Sequence, residues 1–141
     1  MSDAAITAPA AEPAEQVLPQ RLRLIYRHGR ELRWVSHLEL LRVFERALRR
    51  AGLPVAYSQG FNPRPRLTSA APLPVGFAGE EEILDILMLP HVEPAAFAGR
   101  LAPQLPPGLQ ILRVDEVERR APALPGVLEE AWYTVELLDV P

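Results

Sequence analysis

A chain of 141 residues with 48% hydrophobic side chains is long enough for one domain with a real core, and its net charge of −3 comes from eighteen acids against fifteen arginines. With no cysteine, the chain itself can hold no disulfide, thiolate nucleophile or iron–sulfur ligand. No apolar run approaches the roughly 20 residues that span a bilayer, and no basic segment with a following apolar stretch opens the chain, so the expected setting is cytoplasmic, with no membrane contact.

Residues 1–19, rich in Ala, Pro and Glu without apolar periodicity, are expected to form a disordered tail. A domain is expected over 20–118. "RLRLIYR" alternates: Leu22, Leu24 and Tyr26 face one way and Arg21, Arg23, Ile25 and Arg27 the other, which predicts a strand. "HGRE" reads as a turn around Gly29, after which "LRWV" either extends the strand or closes a hairpin onto it. "SHLELLRVFERALRRAG" predicts a helix with Ser36 as N-cap, Glu39 completing a capping box and Gly52 as the terminating glycine. Leu40, Leu41, Phe44, Ala47, Leu48 and Ala51 share its apolar face, and Arg42, Arg46, Arg49 and Arg50 share the opposite one.

"PVAYS" predicts a further strand, and after the loop "YSQGFNPRPR" a second extended segment, "RLTSAAPLPVGF", leads to a glycine-containing turn. "EEILDILML" predicts an apolar strand from Ile83 to Leu89. "EPAAFAGRLAPQL" predicts a short helix with Pro94 in its first turn, and "GLQILRVDEV" a last strand starting at Leu109. Strand, helix, strand, strand, helix, strand is the order of an α+β ferredoxin-like βαββαβ sandwich. Residues 119–130 then read as a linker. "AWYTVELLDV", within 131–141, reads as an extra C-terminal strand that either folds back on the first sheet or starts a second subdomain.

The charge is unevenly placed. Gln20 to Arg66 holds eleven arginines and only Glu31, Glu39 and Glu45, while the remainder holds four arginines and fifteen acids. A local field of this sign attracts polyanions whatever the overall pI, although a basic block also has the option of docking on acidic groups of its own chain or of a partner. Arg42, Arg46, Arg49 and Arg50 lie within about one third of the helix circumference, with Glu39 placed to pair with them, and planar guanidinium groups suit phosphate. In the loop, Gly60 supplies backbone freedom, while Pro63 and Pro65 hold Asn62 and Arg64 extended. The resulting stiff arm presents Gln59, Phe61, Arg64 and Arg66, a set suited to a phosphate backbone and a stacked base. The opposing reading is a structural crossover in which Phe61 and the prolines cap the core.

Three histidines are candidates for chemistry. His37, at the helix start and on its apolar face, is expected to be buried and bonded to backbone. His28 is expected to be exposed in a turn, within reach of phosphate. His91 has only Glu93 near it, and scattered histidines argue against a metal site. The acids Glu80, Glu81, Glu82 and Asp85 read as a solvated face rather than a magnesium site.

The stretches "GRELRWVSHLELLRVFERALRRAGLPVAYSQGFNPRPRL", "APLPVG" and "EEILDI" resemble the bacterial radical S-adenosylmethionine-linked (radical-SAM-associated) family, a domain of unknown function. Family members usually read GFNPHP at the loop, so Arg64 stands where a histidine is usual. That departure argues against an obligatory proton transfer there. The resemblance implies a radical SAM enzyme as partner, holding the iron–sulfur cluster and S-adenosylmethionine, with no cofactor on this chain. The basic strand, "SHL" and arginine-rich helix are also similar to the ferredoxin-like repeat-processing endoribonucleases of CRISPR systems, but their glycine-rich C-terminal loop is absent from this sequence.

The expectation is therefore an accessory RNA-binding domain, without catalytic activity of its own, that presents tRNA or rRNA for modification. Arg42, Arg46, Arg49, Arg50, Gln59, Phe61, Asn62, Arg64 and Arg66 are its expected contact residues. Ser36, His37, Gly52 and Gly60 are expected to be structural. The alternatives are a docking module for the enzyme, using the same residues without nucleic acid, and a metal-independent ribonuclease using His37 or His28.

Overall fold

A computed structural model of the chain describes residues 18–118, so most of the expected tail, the linker 119–130 and the strand 131–141 lie outside the described residues. Strand β1 (Gln20–His28) is followed by a 3-10 turn (Arg30–Leu32), helix α1 (His37–Arg50), strands β2 (Leu67–Ser69) and β3 (Gly79–Met88), helix α2 (Pro94–Leu101) with a 3-10 extension, and strand β4 (Leu109–Val117). The sheet order is β2-β3-β1-β4, with every neighbouring pair antiparallel. This is the ferredoxin-like α+β arrangement expected from the element order.

The alternation of β1 sets the core. Leu22, Leu24 and Tyr26 are buried and share their face with Ile86 and Leu84, their partners on β3 being Leu22↔Ile86 and Leu24↔Leu84. Leu40, Phe44, Ala47 and Leu48 of α1 and Phe97 and Leu101 of α2 cover that face. Tyr26 and Phe44 meet edge to face, with ring centroids 5.1 Å apart. Fully burying each large aliphatic or aromatic side chain contributes roughly 1.5–3 kcal/mol, and this cluster holds both helices on one side of the sheet. The other side carries Arg21, Arg23, Ile83 and Asp85.

Three local expectations need correction. "LRWV" neither extends β1 nor forms a hairpin: the backbone turns through Arg30–Leu32, and Val35 N donates to the Leu32 carbonyl. "PVAYS" is not a strand but makes two isolated bridges, Val55↔Met88 and Tyr57↔Pro65. The extended segment after the loop pairs with β3 only over Leu67–Ser69, because Pro65, Pro72 and Pro74 lack the amide donors that a longer ladder needs. By contrast α1, α2 and β4 begin at the expected residues, and β3 starts at Gly79, before the expected Ile83.

Candidate nucleic-acid interface

Helix α1 is fixed at both ends. Ser36 Oγ accepts from the Glu39 amide and Glu39 Oε1 accepts from the Ser36 amide, both at 3.2 Å, which is the predicted capping box. These bonds, with a smaller effect of Arg42, hold the Glu39 carboxyl below its ordinary range. At the far end Gly52 takes a left-handed φ of 66°, and Arg100 Nη2 donates to the carbonyls of Ala51 at 2.9 Å and Gly52 at 2.7 Å. The exit of α1 is thus clamped by a side chain from α2.

Between these ends Arg42, Arg46, Arg49 and Arg50 are all exposed. None makes an ion pair with a described residue. Glu45, which stands at helical spacing from both Arg42 and Arg49, also pairs with neither. Arg49 and Arg50 gain in addition from the negative end of the helix dipole.

Beyond the end of α1 at Arg50, the chain enters the arm at Ala56. Ala56 N donates to the Leu87 carbonyl, Leu87 N donates to the Arg66 carbonyl, and Arg66 N donates to the Ala56 carbonyl, so both legs of the arm are tied to one residue of β3. Above this base Ser58 N donates to the Arg64 carbonyl at 2.8 Å, and Arg64 N donates to Ser58 Oγ at 3.1 Å. The segment is therefore a narrow hairpin, not a crossover over the core. Gly60 takes φ 125° at its tip. Gln59, Phe61, Asn62, Arg64 and Arg66 are exposed, Phe61 to 104% of its reference surface. Between Arg46 and Gly79 the chain has no acidic residue at all, a signal the sequence carries openly.

The basic block is not uniform. Asp85, on the sheet face away from the helices, accepts from Arg21 Nε at 2.6 Å and from Arg23 through Nε at 2.9 Å and Nη2 at 3.1 Å. Arg21 and Asp85 are nearly inaccessible, and Arg23 has its pKa raised by this hydrogen bond. Two of the β1 arginines thus answer an acid of their own chain, while the α1 and arm arginines do not. Asp85 was readable only as one of four nearby acids. Alternation separates them: Asp85 faces the arginines, whereas Glu82 stands opposite Tyr26 on the other face.

The histidine expectations are reversed. His28 is 2% exposed and its Nε2 donates to the Leu32 carbonyl at 2.7 Å, so the buried, backbone-bonded histidine is His28 and not His37, which is half-buried and makes no side-chain hydrogen bond to a described residue. The reason is that β1 continues through residue 28 and the 3-10 turn folds Leu32 back over the ring. A histidine enclosed in this way cannot reach a phosphate or serve a surface ribonuclease. Its Nδ1 has no partner. Beside it, burial pushes the Glu82 carboxyl up, partly opposed by His28, and burial and Glu82 both raise the Tyr26 phenol.

A second surface was missed. Trp34, Val75 and Phe77 are exposed at the end of the sheet where β3 begins. Gly76 N donates to the Arg33 carbonyl at 2.5 Å, the Trp34 ring lies against Gly76, and the Arg33 guanidinium sits 5.0 Å from the Trp34 ring centroid. No periodic pattern marks this patch, because it joins two turns distant in sequence.

A family described as "uncharacterized protein conserved in bacteria (DUF2344)" matches residues 21–141, which takes in every element described above but for Gln20, the first residue of β1. No curated protein matches the chain.

Proposed function

The chain belongs to this bacterial family, and from that premise we propose that it is an accessory RNA-binding domain that presents tRNA or rRNA to a radical SAM enzyme for modification. The observation that carries the reading is the exposed arginine row of α1, which forms no ion pair with a described acid and leads into the stiff arm. Arg42, Arg46, Arg49, Arg50, Arg64 and Arg66 contact phosphates, and Phe61 stacks on a base. Guanidinium forks bind phosphate bidentately, and their charge is left for an external anion because no described acid takes it. The sequence resemblance supplies the enzyme partner, which brings the cluster and S-adenosylmethionine. This chain's part is to bind and orient the RNA.

The test is binding of bulk tRNA and rRNA fragments at about 50 and 200 mM salt, with R42A/R46A/R49A alongside. Six phosphate contacts predict a loss of about a thousandfold over this range, and three contacts a loss of about fortyfold. Failure of the wild-type chain to bind at low salt would refute the reading.

A second reading, a docking module for the enzyme, is favoured by the exposed Trp34, Val75 and Phe77 patch, since aromatic and arginine side chains dominate the energetics of protein interfaces. A stoichiometric complex with the enzyme that is indifferent to RNA and lost in W34A would establish it.

A further inference from the structure

The arm and the helix ask for different parts of a ligand. The arm carries one aromatic side chain at its tip, and that ring makes no use of the core: Phe61 is fully exposed, while Tyr57, its ring half exposed, stands at the base, where its backbone bridges to Pro65. Platforms for extended single strands place several aromatics in succession, one for each stacked base. The single ring at the tip provides for one base there. A ring cannot enter an intact duplex stack without unstacking it, so the base must already be unpaired. Gln59 and Asn62 flank the ring with amide donors and acceptors for the edge of that base.

The helix supplies the opposite kind of contact. Arg42, Arg46 and Arg49 are spaced four and three residues apart on a capped, clamped helix, which puts them along about 10 Å of its axis. A row fixed at both ends matches a phosphate track that is itself fixed in shape. The arm is equally stiff, held by the Ser58 and Arg64 bonds and by its shared anchor on Leu87. From Tyr57 the chain reaches at most about 14 Å to Phe61. Neither part is built to follow a strand that changes shape.

We infer that the RNA class this site takes is a folded RNA offering one unpaired nucleotide beside a continuous helical phosphate track, as at a bulge or a stem–loop junction. The inference rests on the RNA-binding reading above. α1 holds the backbone of the stem, and Phe61 receives the extruded base.

The experiment compares three RNAs of equal phosphate number by fluorescence anisotropy: a perfect duplex, the same stem with one bulged 2-aminopurine, and an unstructured strand. The full chain should bind the bulged stem about tenfold more tightly than the perfect duplex, with a change in 2-aminopurine emission. F61A should erase that preference and the emission change while keeping salt-dependent binding to the stem, and F61W should restore both. Because Phe61 touches no core residue, these substitutions leave the fold intact, which thermal unfolding checks. Equal affinity for perfect and bulged stems, or tightest binding to the unstructured strand, overturns this inference and leaves RNA binding standing. Absence of binding to all three overturns both.

Discussion

Replacing Asp85 with alanine is the sharpest test of how the basic block is divided. Asp85 is 5% exposed and is the shared acceptor for Arg21 and Arg23, whose contacts are 2.6 and 2.9 Å long. Removing one partner of a buried pair costs about 3–5 kcal/mol, because the remaining charge stays out of water without that partner. Arg23 retains 23% of its side-chain surface and can recover some hydration, so the low end, about 3 kcal/mol, applies. For a domain of this size that lowers the Tm by about 12 °C or more. Urea unfolding followed by circular dichroism gives the free energy directly. The internal control is D115A, which breaks the exposed Arg113–Asp115 pair, itself only 2.6 Å long, and should change stability by no more than about 1 kcal/mol. If D85A proves as mild as D115A, the reasoning that sets the β1 arginines apart as structural is wrong.

Two further outcomes follow from the ends of the sheet and of α1. Glu82 has its folded pKa raised by burial, so ionising it opposes folding: stability falls as pH rises from the ordinary carboxylate range through the raised value. E82Q should therefore unfold at a higher temperature than wild type at neutral pH, the gap closing as both are acidified below pH of about 4; a gap independent of pH would contradict this. R100A removes the donor to two carbonyls at the end of α1 and should cost about 1–2 kcal/mol, read in the same urea assay, with a wild-type midpoint counting against the clamp.

Much of this fold was legible because the decisive signals are local. The capping box at Ser36, the terminating Gly52 and the apolar face of α1 all lie within one stretch, and the alternation of β1 placed Leu22, Leu24 and Tyr26 in the core. His28 belongs to the same alternation, and ending the strand at Arg27, with His28 in the turn, is what turned it outward. Other features depend on pairing between distant segments. Arg23 and Asp85 are opposite each other only once β1 and β3 are in register, and the bridge at Val55 exists only because Met88 of β3 is there to receive it. For the candidate site, the arginine row and the arm residues were readable as solvent-facing types. That the arm is a hairpin was not, since its bonds run between residues flanking the prolines.

The order β2-β3-β1-β4 puts β1, the earliest in sequence of the described strands, in the middle of the sheet. Its two neighbours are encoded later, and the last of them ends at Val117, close to 90 residues after His28, or about 4 to 18 seconds of translation at ordinary rates. Until β3 is complete at Met88 both edges of β1 are open to pairing with any passing chain, and until β4 follows one edge still is. Arg21, Arg23 and Arg27 then serve as gatekeepers, their like charges discouraging the association of one nascent strand with another. Asp85, arriving with β3, then pairs with Arg21 and Arg23 and offsets part of that charge as the sheet closes.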